Sequence, residues 1–374
     1  LLLKGEALTS QSLKLKIVLT GGGTAGHVMP HLALLPEMKK RSWHVLYIGT
    51  SRIEKHLISG HGVPFYTISA GKLRRYFSLE NFLDLFKCGI GFFQSLYYLL
   101  RLKPDLVFSK GGYVSVPVCL AAKMLRIPVA THESDVTPGL ANRIITRVAH
   151  KIFYSFPQSK NYLPQNAFYI PLPVRAELFQ GSKDLALKLC GFRSEDPRPV
   201  VLIMGGSQGA SRLNQAFLSS KEKFLKVFRV IHLTGKDKQT GLKVPNSYYE
   251  KEYAAEELKD FLALADLVVS RAGANSIFEF QALNKPMVLV PLSQGSRGDQ
   301  VVNAKAFEEK GLALVLAEKD LTSESLLFTC EEALQVLEIF SDVSSVEPSQ
   351  EALTNRNIFL DQLEGICVKS SQVV

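Results

Sequence analysis

The chain has 374 residues, 46% of them hydrophobic and 21% charged, with a formal net charge of +9. This length predicts two domains, the composition excludes a disordered or fibrous chain, and the basic balance favours anionic partners: nucleic acid, phosphorylated substrates or an acidic membrane surface. Cys88, Cys119, Cys190, Cys330 and Cys367 are odd in number, widely spaced and without a C-x-x-C pair. They argue against a disulfide framework or a zinc site. No run reaches the roughly 18 apolar residues of a spanning helix, and Leu1–Ser10 is too short and weakly apolar for a secretory signal, so a cytoplasmic protein is expected.

Lys14 to His31 passes from the apolar strand Ile17–Leu19 through Gly21, Gly22, Gly23 and Gly26 into a helix expected to open at His27. Such a turn gathers backbone N–H groups and the positive end of a helix dipole, which suits an anion such as a pyrophosphate. Gly21, Gly23 and Gly26 also meet the G-x-G-x-x-G spacing of dinucleotide sites. The second strand, Val45–Ile48, runs into Gly49-Thr50 without the acid that would hold a ribose, and Glu54 comes too late. A tight strand-to-helix turn with no ligand satisfies the same glycines.

Further strands are predicted at Phe65–Ile68, Leu106–Phe108, Pro128–Thr131 and Lys151–Tyr154, with helices near Pro30–Lys40 and Arg52–Ser59. This alternation gives a parallel sheet covered on both faces. Within Lys72–Lys103, Phe82, Phe86, Phe93 and Tyr97 recur at helical spacing beside Lys72, Arg74, Arg75 and Lys87. That pattern fits docking on an anionic membrane surface without crossing it, and equally a core helix with a basic end. Pro171–Val174 reads as a linker.

The second half repeats the design, with strands at Val200–Met204, Val230–Leu233, Leu267–Val269, Met287–Val290 and Leu312–Leu316, a glycine turn at 205–209 and a helix from Arg212. The predicted fold is therefore α/β, with two doubly wound, Rossmann-like domains whose glycine turns, at strand carboxyl ends, face a central cleft. The limits are drawn at 14–172, 173–348 and a terminal helix and tail, 349–374, that crosses back to the first domain. His27 and His31 share an i, i+4 spacing but Pro30 intervenes and no H-E-x-x-H follows; D-x-D occurs nowhere. No metal or cofactor is expected.

Six motifs, Gly22-Gly23-Thr24-Ala25-Gly26-His27, Gly111-Gly112-Tyr113-Val114-Ser115-Val116-Pro117, His132-Glu133, Gly205-Gly206-Ser207-Gln208-Gly209-Ala210, Ser270-Arg271-Ala272-Gly273-Ala274 and Gly298-Asp299-Gln300, resemble in the same order those of the MurG family. Its members transfer N-acetylglucosamine from UDP-N-acetylglucosamine to lipid I, making lipid II. The resemblance runs from about Lys16 to beyond Asn303. It implies the GT-B architecture, an N-terminal acceptor domain, a C-terminal UDP-sugar domain and an inverting transfer without a covalent sugar intermediate. By the same resemblance Thr24, Ala25 and Gly26 approach the donor sugar and phosphates, and Arg175 lies near the leaving diphosphate. Ser207 belongs to the second glycine loop, and Ala274, Asn275, Ser276, Ile277, Phe278 and Glu279 hold the nucleotide. Gln300 meets the donor sugar, and Asp299 and Asn142 are further substrate contacts.

Two positions depart from the family. Asp135 stands where an asparagine is usual, and Pro171-Leu172 where Gly-Asn is usual. An aspartate accepts hydrogen bonds from sugar hydroxyls but cannot donate as an amide does. Glu279, beyond the Gly273 turn, is placed to accept two ribose O–H bonds. His27, at a helix N-terminus where the dipole disfavours a charged imidazole, is expected to be the general base. Glu133 as base or orienting acid, and His27 as a cap contacting the acceptor diphosphate, are the alternatives. The implied partners are lipid I, an anionic inner-membrane surface approached from the cytoplasm and a cell-wall synthesis complex, with no nucleic acid. A diacylglycerol-type glycolipid synthase, a non-catalytic nucleotide-sugar-binding scaffold and an NAD oxidoreductase are the rival functions.

Overall fold

The structure, a computed structural model, describes residues 15–71, 79–206, 210–293, 298–337 and 348–371. Its strands are β1 (Lys16–Thr20), β2 (His44–Gly49), β3 (Phe65–Thr67), β4 (Leu106–Ser109), β5 (Val129–Glu133), β6 (Lys151–Tyr154), β7 (Phe168–Tyr169), β8 (Val200–Met204), β9 (Arg229–Leu233), β10 (Tyr248–Lys251), β11 (Leu267–Ser270), β12 (Met287–Leu289) and β13 (Ala313–Val315). They form a seven-stranded sheet in the order β3-β2-β1-β4-β5-β6-β7 and a six-stranded sheet in the order β10-β9-β8-β11-β12-β13. Pairing is parallel: Ile17 lies beside Val45 and Leu106, and Val201 beside Val230 and Leu267. Helices on both faces bury these strands, so β1, β4 and β8 are near-continuous apolar runs without alternation.

By internal packing the chain divides into two compact units. One comprises the residues up to Thr131, Ile144–Lys151 and the stretch from Leu360 on; the other comprises His132–Arg143 and Ile152–Phe359. In the first unit, a core of Val18, Leu46, Ile48, Val107, Val118 and Val129 lies under the sheet. The end of the long helix Pro348–Ser371 is held by an Arg41–Asp361 ion pair at 2.6 Å and by a Lys151 to Gln362 hydrogen bond at 2.9 Å. In the second unit one core forms on each face of the six-stranded sheet, around Leu202, Phe261 and Val268 on one side and Ile203, Phe217 and Val269 on the other. Each large side chain buried this way contributes roughly 1.5–3 kcal/mol.

The strands Lys151–Tyr154 and Val200–Met204 have the expected limits, and the other expected strands differ from the observed ones by at most two residues at an end. His27 does not open an α-helix; it ends a 3-10 turn, Ala25–His27, and the α-helix starts at Met29. Pro30 explains the shift, since proline is suited to a first helical turn and its ring removes a donor from the preceding geometry.

Candidate active site

Each sheet reverses its order once. The chain moves outward through β1, β2 and β3, then returns to lay β4 on the other flank of β1; β8, β9, β10 and β11 repeat this. Loops leaving the carboxyl ends of such a strand pair diverge and open a crevice. The segments there are 21–28 after β1 and 110–114 after β4 in one sheet, and, among the described residues, 205–206 after β8 and 271–273 after β11 in the other. Four of the six motifs thus fall at the two reversal points.

At the first of these, the glycine loops meet backbone to backbone. Gly112 has φ +79°, and a Cβ there would run into the carbonyl of Gly22; Gly23, at φ +86°, lies against the Tyr113 ring. Only glycine fits either position. Below the loop Glu54, fully buried, accepts from the Thr50 amide at 2.9 Å, from the Thr50 hydroxyl and from the Gly23 amide at 3.5 Å. Tyr47 donates to the Gly21 carbonyl at 2.8 Å. The acid set aside as a ribose ligand is therefore a brace for the loop, and the Thr50-to-Glu54 spacing across the start of helix Ile53–Ser59 is its signal in the sequence.

Thr24 Oγ1 and His27 Nδ1 lie 2.9 Å apart across the 3-10 turn. If Nδ1 carries the proton and donates to Thr24, Nε2 is the basic nitrogen; if the hydroxyl donates, the proton sits on Nε2. His31 is inside the core, edge-on to Tyr47 at 5.6 Å and to Phe108 at 5.2 Å. Neither of its ring nitrogens has a hydrogen-bond partner among the described residues. Burial, then the nearby Lys110 and His27, holds its pKa well below the ordinary histidine value.

Glu133, at the end of β5, caps the turn that follows it. Oε1 accepts from the amides of Ser134 at 2.9 Å and Asp135 at 3.0 Å, and Oε2 from the Gly139 amide at 3.3 Å and Asn142 Nδ2 at 2.8 Å. A carboxylate has about four acceptor positions, and four donors converge here. Asn142 is accordingly a partner of Glu133. His132 is buried, with Nε2 2.8 Å from Ser155 Oγ and its ring 5.1 Å from that of Phe359.

In the second unit, Arg175 makes a two-pronged contact with Glu279, Nε to Oε1 at 2.8 Å and a terminal nitrogen to Oε2 at 3.2 Å. Burial raises the Glu279 pKa, with Arg175 countering; burial also works against the Arg175 cation, but Glu279 beside it leaves that pKa raised. Glu279 sits on helix Ala274–Ala282, where Asn275 and Ser276 are half-buried and Ala274, Ile277 and Phe278 are in the core. Phe278 packs edge-on to Phe156 and Phe307. Ser207 lies outside the described residues.

Asp299 and Gln300 begin helix Asp299–Glu308. Asp299 accepts from the Thr137 hydroxyl at 2.9 Å, and Gln300 Oε1 accepts from the Leu292 amide at 3.0 Å. Asn303, which the motif reading passed over, is fully buried. It donates to Asp135 Oδ1 at 2.9 Å and accepts from the Val136 amide at 3.1 Å. Its signal was its place one helical turn after Asp299. The aspartate at 135 thus accepts a hydrogen bond from an amide N–H, a role for which its acceptor-only carboxylate is suited.

Lys72, Arg74 and Arg75, and the side chain of Phe82, fall outside the described residues. On helix Leu79–Leu102, Phe86 is 70% and Phe93 68% exposed, and Leu85, Lys87, Ile90, Tyr97 and Leu100 are exposed with them. The helix packs against Ser115–Met124, which adds exposed Leu120 and Met124, unmarked by any sequence pattern. No helix among the described residues is long and apolar enough to cross a membrane.

Residues 17–154 match the Glycosyltransferase family 28 N-terminal domain and residues 200–343 the Glycosyltransferase family 28 C-terminal domain. A Lachnospira eligens protein named UDP-N-acetylglucosamine--N-acetylmuramyl-(pentapeptide) pyrophosphoryl-undecaprenol N-acetylglucosamine transferase is 50% identical over 316 residues, covering 83% of this chain and 89% of that protein. A Bacillus cereus protein of the same name, numbered 2, is 45% identical over 342 residues, covering 90% and 97%. The crystal structure of Acinetobacter baumannii MurG superposes with a TM-score of 0.70 at 25% identity, over 94% of this chain and 99% of that one. With both domains of the family matched and relatives this similar over most of its length, the chain belongs to the MurG family of glycosyltransferases, of GT-B fold.

Proposed function

We propose that this enzyme transfers N-acetylglucosamine from UDP-N-acetylglucosamine to the 4-hydroxyl of the N-acetylmuramic acid of undecaprenyl-linked lipid I, giving lipid II for peptidoglycan. The observation that carries the reading is the placement of the motifs at the carboxyl ends of β8, β11 and β12, which are neighbours in that order. In such sheets this edge receives the ligand. The donor falls to residues 173–348: Glu279 takes the ribose hydroxyls, Arg175 and the loop of Ser207 the diphosphate, and Asp299 and Gln300 the sugar. Residues 14–172 take the acceptor, and 349–374 cross back to that domain.

The acceptor hydroxyl attacks the anomeric carbon as the bond to the UDP oxygen breaks, inverting the centre. The hydroxyl proton passes to His27, and UDP departs as a diphosphate whose charge Arg175 and backbone N–H groups offset. The four donors already on Glu133 favour His27 over Glu133 as base. The exposed apolar face of Leu79–Leu102 supports docking on the anionic cytoplasmic face of the inner membrane, where a lipid-linked acceptor is presented. Incubation with radiolabelled UDP-N-acetylglucosamine and a lipid I analogue tests the reading. A labelled disaccharide lipid is the expected product, and intact UDP binding without turnover would leave a scaffold.

A further inference from the structure

We propose that Glu318 is a positioning residue for donor-sugar recognition, fixing the segment 291–293 and, through it, the side chain of Gln300. This rests on the reading of Gln300 as a donor-sugar contact. Glu318 follows β13 and is 5% exposed. Its Oε1 accepts from a terminal nitrogen of Arg271 at 2.6 Å, and its Oε2 from the Ser293 hydroxyl at 2.8 Å and the Ser293 amide at 3.3 Å. Arg271 also donates to the Val290 carbonyl at 3.0 Å. One carboxylate therefore ties together the carboxyl-end loops of β11, β12 and β13, which are adjacent strands.

The middle of the tied segment reaches Gln300. The Leu292 amide donates to Gln300 Oε1 at 3.0 Å. A backbone N–H requires an oxygen opposite it, so this bond fixes which way the Gln300 amide points and makes its NH2 the end that can donate to a sugar hydroxyl. If Ser293 is released from Glu318, the Leu292 amide loses its register and Gln300 its orientation. A purely structural Glu318, present only to neutralise the buried Arg271, predicts general loosening instead.

Calorimetric titration of UDP and of UDP-N-acetylglucosamine against the parent, Glu318→Ala, Glu318→Gln, Ser293→Ala and Gln300→Ala separates the two. Gln300→Ala should lower the affinity for the sugar nucleotide relative to UDP by about 3- to 10-fold, the worth of about one hydrogen bond. Glu318→Ala should lower the same ratio comparably with UDP affinity unchanged, and Glu318→Gln should restore part of it, since an amide oxygen still accepts from Ser293. Ser293→Ala keeps the buried ion pair and should lower the ratio even where Glu318→Ala fails to fold. A ratio unchanged in Glu318→Ala and Ser293→Ala but lowered in Gln300→Ala would overturn the positioning role alone. Equal loss of both ligands in Glu318→Ala would also overturn it. A ratio unchanged in Gln300→Ala would overturn the reading on which it rests, and the proposal with it.

Discussion

Arg175 and Glu279 are joined by two N–H···O bonds, and both side chains are largely withdrawn from water, at 15% and 12% exposure. In the proposed complex they serve different parts of the donor, the diphosphate and the ribose. The donor therefore meets a preformed ion pair that holds each group in place and compensates its charge while the site is empty.

Glu279→Ala should weaken UDP-N-acetylglucosamine binding by up to about 1.5–3 kcal/mol, the worth of a hydrogen bond to a charged group. It should also leave Arg175 buried without its carboxylate, a change that breaks such pairs at a cost of roughly 3–5 kcal/mol when fully buried and less at this exposure. Titration calorimetry and urea unfolding read the two effects; unchanged affinity would remove Glu279 from the nucleotide site.

His27→Ala should lower turnover by roughly 10²–10⁴-fold while leaving UDP-sugar affinity nearly intact. Thr24→Val should cost only about 2- to 13-fold, because it removes one hydrogen bond that orients the imidazole ring and leaves the base itself. The pH dependence of turnover decides between the candidate bases. If His27→Ala retains the parent's acidic limb, another group accepts the proton.

Replacing Phe86 and Phe93 together by serine should reduce binding to anionic vesicles by at least tenfold, since each exposed ring stands to gain roughly 1.5–3 kcal/mol on leaving water. Lys87→Glu should add a loss that fades at high salt, as screening shortens the reach of the charge. Turnover of a short, water-soluble acceptor should be unaffected by all three changes. Vesicle cosedimentation that is unaltered would put docking elsewhere.

Burial holds His232 down to about 4, between Tyr248 at 3.0 Å and Asn214 at 3.1 Å. The folded value lies below the unfolded one of about 6.5, so the native state binds fewer protons. Its contribution is present in full above about pH 6.5 and is lost as pH falls through about 4, amounting to about 3 kcal/mol at most. Unfolding midpoints of the parent should fall over that window, and His232→Gln should flatten the fall; parallel curves would assign the acid sensitivity to other groups.

The apolar strands and glycine loops were readable because their signals are local: β1 holds a run of buried aliphatics, and Gly21 and Gly23 stand where a Cβ would meet the His27 carbonyl and the Tyr113 ring. The strand Tyr248–Lys251 was not, because Tyr-Tyr-Glu-Lys has no apolar run, and Phe168–Tyr169 is only two residues long. Asn303 and Glu318 escaped for another reason: their partners Asp135 and Arg271 lie 168 and 47 residues away in the chain. Only the fold brings such donors and carboxylates together, and a lone acid or amide looks like any solvated side chain.

The gathering of motifs at the carboxyl ends of the strands leaves the opposite ends for chemical attachment. Ser42, before β2, and Asn284, before β12, are exposed and already adopt positive φ, 57° and 50°, without being glycine. A fluorophore could be anchored at each through an introduced thiol, one per compact unit, without approaching the glycine loops. Burial pushes the native thiols of Cys119, Cys190 and Cys367 up to about 12 and raises Cys330 as well, so these four resist alkylation. Half-buried Cys88 is then the native thiol to replace first, and a dye pair on that background would follow the distance between Ser42 and Asn284 as nucleotide is added.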